Sequence, residues 1–285
     1  MTVLSSCGLG GTSLINANVA ITPDEDLFEQ SAWPRTIRFP EMAQFYTKAA
    51  QTLGANPHPR SNPKQAGCLH KVQGLDRRAQ QLNQQAYGLN IVVNFDVDGP
   101  NKHSVPQKPC TDCGDCVTGC NVGAKNTLQM NYLPIAQQNG ADIFTRVEVK
   151  WIEKLNGGGW RVHGRRFSGL FPDNFTLEAH NVILSAGSLG TPEILLRSEK
   201  KGLSLSPKLG SQFSGNGDFF ALAYNSDYQI NTLGFGKDAN HAWRQRGNAP
   251  GPSIVGAVSY GSKETPLDKR ILVEDFSFPS SYLNL

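Results

Sequence analysis

NVILSAGSLGTPEILLR, residues Asn181–Arg197, is the stretch whose reading decides the fold. Val182-Ile183-Leu184 is an apolar run of the length of one buried strand. It breaks at Ser185-Ala186-Gly187-Ser188, small residues past which a ligand can approach the backbone closely. Gly190 follows, then Thr191 in the N-cap position, Pro192 at the first helical position and Glu193 in the first turn. Ile194, Leu195 and Leu196 supply the inward side of a short helix. Strand, turn and helix in this order predict an open α/β sheet that holds a cofactor at the turn. Orphan N–H groups at the helix start suit an anionic or strongly polar ligand. An ordinary βα turn without a ligand has the same local chemistry, so the stretch alone leaves function open.

Working outward, a chain of 285 residues has ample core for one large domain or two modest ones. The net charge is only +3 and the basic residues are scattered, which gives no nucleic-acid footprint. No apolar run approaches the roughly 18 residues of a membrane span. The opening MTVLSSCGLGG has neither the basic nor the apolar region of a signal peptide, so a cytoplasmic setting is the default expectation. With 29 glycines and 17 prolines the chain has the loop-rich texture of an enzyme scaffold rather than of a helical bundle.

Near the start, Gly8-Leu9-Gly10-Gly11-Thr12-Ser13-Leu14-Ile15-Asn16 is a glycine-rich turn running into an apolar segment. It is not a dinucleotide fingerprint, because Ser13 stands where G-x-G-x-x-G needs its third glycine and no strand precedes it. Thr22-Pro23-Asp24-Glu25 predicts a helix start, with that helix ending before Pro34. A second helix is expected from Pro40 to Leu53 with Gly54 as its stop, and a third over Leu75–Tyr87, followed by the apolar run Ile91-Val92-Val93. A further helix is expected from about Asn126 to Gln138. Ile143–Leu155 and Trp160–Phe167, joined through Asn156-Gly157-Gly158-Gly159, read as a β-hairpin. Later strands are expected at Phe219–Tyr224, Ile254–Tyr260 and Ile271–Phe278.

Cys110, Cys113, Cys116 and Cys120 follow the order C-x2-C-x2-C-x3-C of a ferredoxin-type run, but Asn121 replaces the proline and no second run exists. A cluster or zinc site, a redox thiol pair, and local disulfides or simple packing all match that spacing. In Ile271–Phe278 a period of two puts Leu272, Glu274, Phe276 and Phe278 on one face, and Val273, Asp275 and Ser277 on the other. Glu274 is then the odd carboxylate on an apolar face, where desolvation would fit it to shuttle protons.

These pieces together resemble the glucose–methanol–choline (GMC) flavin oxidoreductases, in particular the branch of the cholesterol oxidases. The resemblance lies in Gly8–Asn16, in Gly123-Ala124-Lys125 through Tyr132-Leu133 with Val149-Lys150-Trp151-Ile152, and in Ser185–Leu195, and Gly215-Asn216-Gly217-Asp218 extends it. It implies an α/β (mixed α+β) fold, a partial FAD-binding domain of GMC type with an interleaved substrate or cap domain. The implied division is a flavin-contacting loop at 1–20, a helical cap region with the cysteine run at 21–124, an FAD-binding portion at 125–212 and substrate-domain strands at 213–285.

The resemblance further implies FAD as cofactor, with Gly8, Gly10, Gly11, Thr12 and Asn16 near the flavin, Val149 at the adenine end, and Ala186 and Gly187 near the pyrophosphate. The partner it implies is a small alcohol or sterol that gives up hydride to the flavin; it does not fix the oligomeric state. Glu274, in a short acidic strand ending in proline, resembles the base of sterol double-bond isomerisation. No metal is implied for the cysteine run in this branch, although related sugar dehydrogenases carry an iron–sulfur centre. The family's leading G-x-G-x-x-G turn and its closing catalytic-histidine segment are not found in the sequence. The chain therefore reads as an internal section expected to hold FAD weakly alone, and none of His58, His70, His103, His163, His180 and His241 inherits the catalytic role. A remnant of the same fold without flavin, or a dehydrogenase subunit with an iron–sulfur centre, are the alternatives.

Overall fold

The computed structural model describes residues 6–236 and 248–282. Among them lie helices α1 (Phe39–Leu53), α2 (His70–Gln80), α3 (Tyr132–Gln138) and α4 (Gly187–Glu199). The strands of four residues or more are β1 (Val147–Lys154), β2 (Trp160–Arg166), β3 (Asp173–Ala179), β4 (Gly256–Tyr260) and β5 (Ile271–Glu274). The fold is mixed α/β, and the chain divides into two compact units, 1–141 with 224–285, and 142–223. Residues 125–141 therefore fold with the first unit, whereas the sequence boundary puts them with the FAD-binding portion.

In the first unit Ile91-Val92-Val93 is the hub. Its apolar side chains are almost fully buried, and it forms hydrogen bonds to neighbours on both sides. Val92 N donates to Asn18 O and Ala20 N to Asn90 O on one flank; Asn94 N donates to Ala124 O and Asn126 N to Val92 O on the other. Val72 of α2, Leu89, Val255 and Ala257 close over it as one apolar core. Strand β4 lies between β5, with Glu274 opposite Ala257, and the short strand Tyr87–Gly88, with Tyr87 opposite that same Ala257.

Helix α1 is as predicted, starting one residue earlier and closed by Gly54 at φ 64°, a conformation glycine adopts without cost. The helix expected from Thr22 is only a 3-10 turn, Glu25–Glu29. So short a segment cannot hold an α-helix by itself, and Phe28 is drawn instead into edge-on contacts with Trp33, Phe39 and Tyr46. The third helix begins at His70 and stops at Gln80, not at Tyr87. Asn83 turns left-handed, and Asp76 Oδ1 accepts from Ala86 N at 2.9 Å, folding the tail back on the helix. The helix expected from Asn126 begins at Tyr132, where Asn131 caps it.

In the second unit the predicted hairpin is present. Strands β1 and β2 pair from Val147–Arg166 to Lys154–Trp160, with a bulge between Val149 and Trp151. Strand β3 adds to the outer side of β2. Ser198 of α4, fully buried, donates to Ile194 O at 2.7 Å and accepts from Ile152 N at 2.9 Å. That hydroxyl satisfies an outward N–H of the edge strand and fixes the helix to the sheet.

Two expected strands are not ladders. Val182–Leu184 pairs with no strand among the described residues, and Ile183 is 89% exposed. Phe219, Phe220, Leu222 and Tyr224 likewise lie exposed without strand geometry. An apolar run supplies the surface of a buried strand, but the ladder needs a neighbour.

Candidate functional site

The predicted cofactor residues divide between the units. Gly8, Gly10, Gly11, Thr12 and Asn16 lie in the first; Val149, Ala186 and Gly187 lie in the second. In the first, Gly10 at φ 104° leads into a 3-10 turn over Gly11–Leu14, with Gly11 at φ 55°. Left-handed backbone at both positions favours glycine, and a Cβ on Gly11 would meet open space. Gly11, Ser13, Ile15 and Asn16 give their N–H groups to carbonyls inside the loop. Those of Gly10 and Thr12 have no partner among the described residues.

The floor of this loop is Lys125–Asn131. Leu128 N donates to Ser13 Oγ, Gln129 Nε2 to Leu9 O at 2.9 Å, and Lys125 Nζ to Leu14 O and Asn16 O. Burial pushes the Lys125 ammonium down to about 8, against the upward pull of the Cys116 and Cys120 sulfurs. In the sequence Lys125 belongs to a segment that resembles the family, and its one local signal is a lysine directly following Val122-Gly123-Ala124.

In the second unit α4 begins at Gly187, earlier than Thr191 and Pro192 suggested. Thr191 Oγ1 accepts from Ala186 N at 3.0 Å, so it satisfies the helix start from inside the first turn instead of standing before it. Pro192, lacking an N–H, then lies inside the helix. Leu184, Ser185, Gly187, Ser188, Thr191 and Pro192 line an open depression of about 540 Å³. Gly187 has φ 75° and nothing within 4 Å of a Cβ position. A glycine-opened helix start beside such a depression fits a phosphate-bearing group. Val149 is half-buried on edge strand β1, at its bulge. Each segment taken by itself, the Gly8–Asn16 loop in the first unit and the start of α4 in the second, has the backbone chemistry of a site for a polar or phosphate-bearing group.

The cysteines are all free thiols, and among the described residues no three His, Cys, Asp or Glu side chains are placed to hold a metal ion. Burial pushes Cys68 and Cys113 up to about 11 and raises Cys110 and Cys116 as well. Beside them, His58 Nδ1 accepts from Arg60 N at 3.0 Å, so its proton sits on Nε2, which meets Asp112 Oδ1 at 2.9 Å. Burial would raise Asp112, but the His58 bond and the Arg60 guanidinium hold it below the usual carboxylate value.

The apolar face expected for the last strand is not buried. Asp275 and Ser277 are buried, at 6% and 0% exposure, while Leu272 and Phe278 are 43% and 39% exposed and Glu274 is half-buried. The buried carboxylate is therefore Asp275, which accepts from Val255 N and Gly256 N and meets Lys71 at 3.2 Å. Desolvation raises Asp275 and lowers Lys71. The strand expected over Ile271–Phe278 ends at Glu274, and its residues Ile271, Leu272 and Val273 are all exposed; burial begins beyond it, at Asp275, where Lys71 of α2 supplies the partner. Among the histidines, His241 lies outside the described residues. No described helix is long and apolar enough to cross a membrane.

The family profile of GMC oxidoreductase matches residues 96–213. A cholesterol oxidase of Acinetobacter baumannii is 29% identical over 274 residues, 89% of this chain and 46% of that protein. A cholesterol oxidase of Mycobacterium tuberculosis is 31% identical over 231 residues, 73% of this chain and 38% of that protein. A long-chain-alcohol oxidase of Arabidopsis thaliana is 32% identical over 122 residues, 39% of this chain and 16% of its own. The chain thus spans about half, or less, of the length of these relatives. The chain belongs to the GMC oxidoreductase family, on its cholesterol-oxidase-like side.

Proposed function

We propose that this chain supplies flavin-contacting parts of an FAD-dependent oxidoreductase acting on the CH–OH group of an alcohol or sterol. The observation that carries the reading is the Gly8–Asn16 loop, whose left-handed glycines and two N–H groups without a described partner suit an external acceptor. When bound, FAD supplies the acceptor for a hydride from the carbinol carbon. The chain's own part is placement: the loop offers Gly10 and Thr12 N–H groups, and the start of α4 offers the orphan donors of Gly187 to Gly190. The cholesterol oxidases among the relatives support a sterol as substrate class.

Hydrogen exchange of the chain with and without excess FAD tests this. Slower exchange at residues 8–16 and 186–190 is expected. Unchanged exchange at both segments with flavin at its solubility limit would overturn the reading.

Glu274 is proposed as the base of sterol isomerisation, moving a proton from C4 to C6 of a 3-keto-5-ene sterol. Its support is the resemblance of the strand and its half-buried place at the end of β5. The step needs no redox partner, so the chain can be given the 5-ene ketone directly and followed by absorbance of the conjugated enone. Glu274→Gln should abolish any turnover the wild type shows, and equal rates in the two would refute the role.

A further inference from the structure

Lys125 is 1% exposed, yet no carboxylate is among its hydrogen-bond partners. Its ammonium donates to three main-chain carbonyls: Leu14 O at 3.2 Å, Asn16 O at 2.6 Å and Cys116 O at 3.1 Å. A lysine has three donors, so every one is used. A buried charge is tolerated only where its donors are satisfied in this way. The root of the side chain is equally fixed. Lys125 N donates to Cys120 Sγ, and the neighbouring Ala124 and Asn126 are bonded to Asn94 and Val92 of the core hub.

We propose that Lys125 is the positioning residue of the Gly8–Asn16 loop: its buried ammonium draws the Leu14 and Asn16 carbonyls inward and couples the loop to the cysteine segment at Cys116. The proposal rests on the flavin reading only for what the loop then does, which is to keep the Gly10 and Thr12 N–H groups outward. Lys125 is not itself a catalytic residue, since its protons are all engaged with the main chain and the group is sealed from solvent. The other two fastenings are weaker. Gln129 to Leu9 is exposed, and Leu128 to Ser13 holds only the middle of the turn. The cysteine segment thereby gains a role without metal, as the third wall of the ammonium's site.

Hydrogen exchange on the flavin-free protein tests this directly, with Lys125→Met and Lys125→Arg. Methionine keeps the stem and removes the donors; arginine keeps the charge but presents a planar fork to three converging carbonyls. In both variants the amides of residues 11–16 should exchange faster, by about tenfold or more for methionine, while α2 and β4 keep their protection. FAD affinity, read by flavin fluorescence, should fall in the same order, by about tenfold for methionine. Unchanged exchange at residues 11–16 would overturn the proposal, and so would loss of protection throughout α2 and β4 in both variants. If the loop loosens as expected but the wild-type protein binds no flavin, the flavin reading falls and the role of Lys125 stands.

Discussion

Lys71 Nζ and Asp275 Oδ1 meet at 3.2 Å, 1% and 3% exposed, and so join α2 to the segment that follows β5. Lys71 also donates to Pro252 O, to Ser253 O at 3.1 Å and to Ser277 Oγ at 2.9 Å. Asp275 in turn accepts from Val255 N and Gly256 N. The pair thus links the turn before β4 to the segment after β5, and Ser277 Oγ adds bonds to the Pro250, Gly251 and Pro252 carbonyls of the same turn.

Breaking that pair from one side leaves an uncompensated buried charge. Lys71→Met is expected to destabilise the protein by about 3–5 kcal/mol in urea unfolding, and Asp275→Ala by a similar amount. The double variant Lys71→Met/Asp275→Ala should cost less than the sum of the two. Additive costs would show that the two groups do not act as a pair.

Ser198 holds α4 to the edge of β1 through one hydroxyl with two partners. Ser198→Ala leaves Ile152 N without its acceptor in a buried place, at a cost of about 1–3 kcal/mol. The loss should be seen as faster exchange of the Ile152 amide with the β1–β2 ladder intact. An unchanged Ile152 amide would mean that the helix is held by apolar contact alone.

Alkaline stability follows from the buried thiols. Cys68 and Cys113 lose their protons at about 11 in the folded chain against an ordinary 9.0. Between those values the fold keeps protons that the unfolded chain has released. The stability is therefore full below 9.0 and falls as pH rises toward 11, by about 2 kcal/mol per thiol. Lys125 has the opposite sign, since its depressed value of about 8 burdens the fold below that pH and the burden eases up to 10.5. Lys71, also lowered by burial, acts with Lys125, and the two lysines oppose four raised thiols, Cys68, Cys110, Cys113 and Cys116, so the urea midpoint should decline between pH 9 and 11, and less steeply in Cys113→Ala. A midpoint that rises across this range would contradict the burial of the thiols.

On the acid side Asp112 is the group to watch. Its carboxylate, held low by His58 and Arg60, contributes stability that is present above its ordinary 3.8 and lost as pH falls through the lower folded value. Asp112→Ala should cost about 1–3 kcal/mol at neutral pH and flatten the acid limb of the stability curve below pH 4. An unaltered acid limb would assign that titration to other carboxylates.

Local sequence decided the elements whose partners lie next to them in the chain. The β1–β2 hairpin follows from alternation around three glycines, and α1 from its apolar face and the stop at Gly54. The glycine loop, the Gly123–Leu133 segment with Val149–Ile152, and the Ser185–Leu195 segment together carry the family resemblance, because each is contiguous in sequence. Only the tertiary structure decided what depends on distant partners. Val182–Leu184 has a strand's composition but forms no ladder, since pairing is a property of two segments and not of one. The last strand stops at Glu274, short of the Phe278 that period two suggested, and the carboxylate buried just beyond it, Asp275, is held by Lys71 on α2. The ammonium of Lys125 finds its carbonyls 111 and 109 positions earlier in the chain, at Leu14 and Asn16. Main-chain acceptors carry no residue signature, so no reading of side chains alone would have found that site.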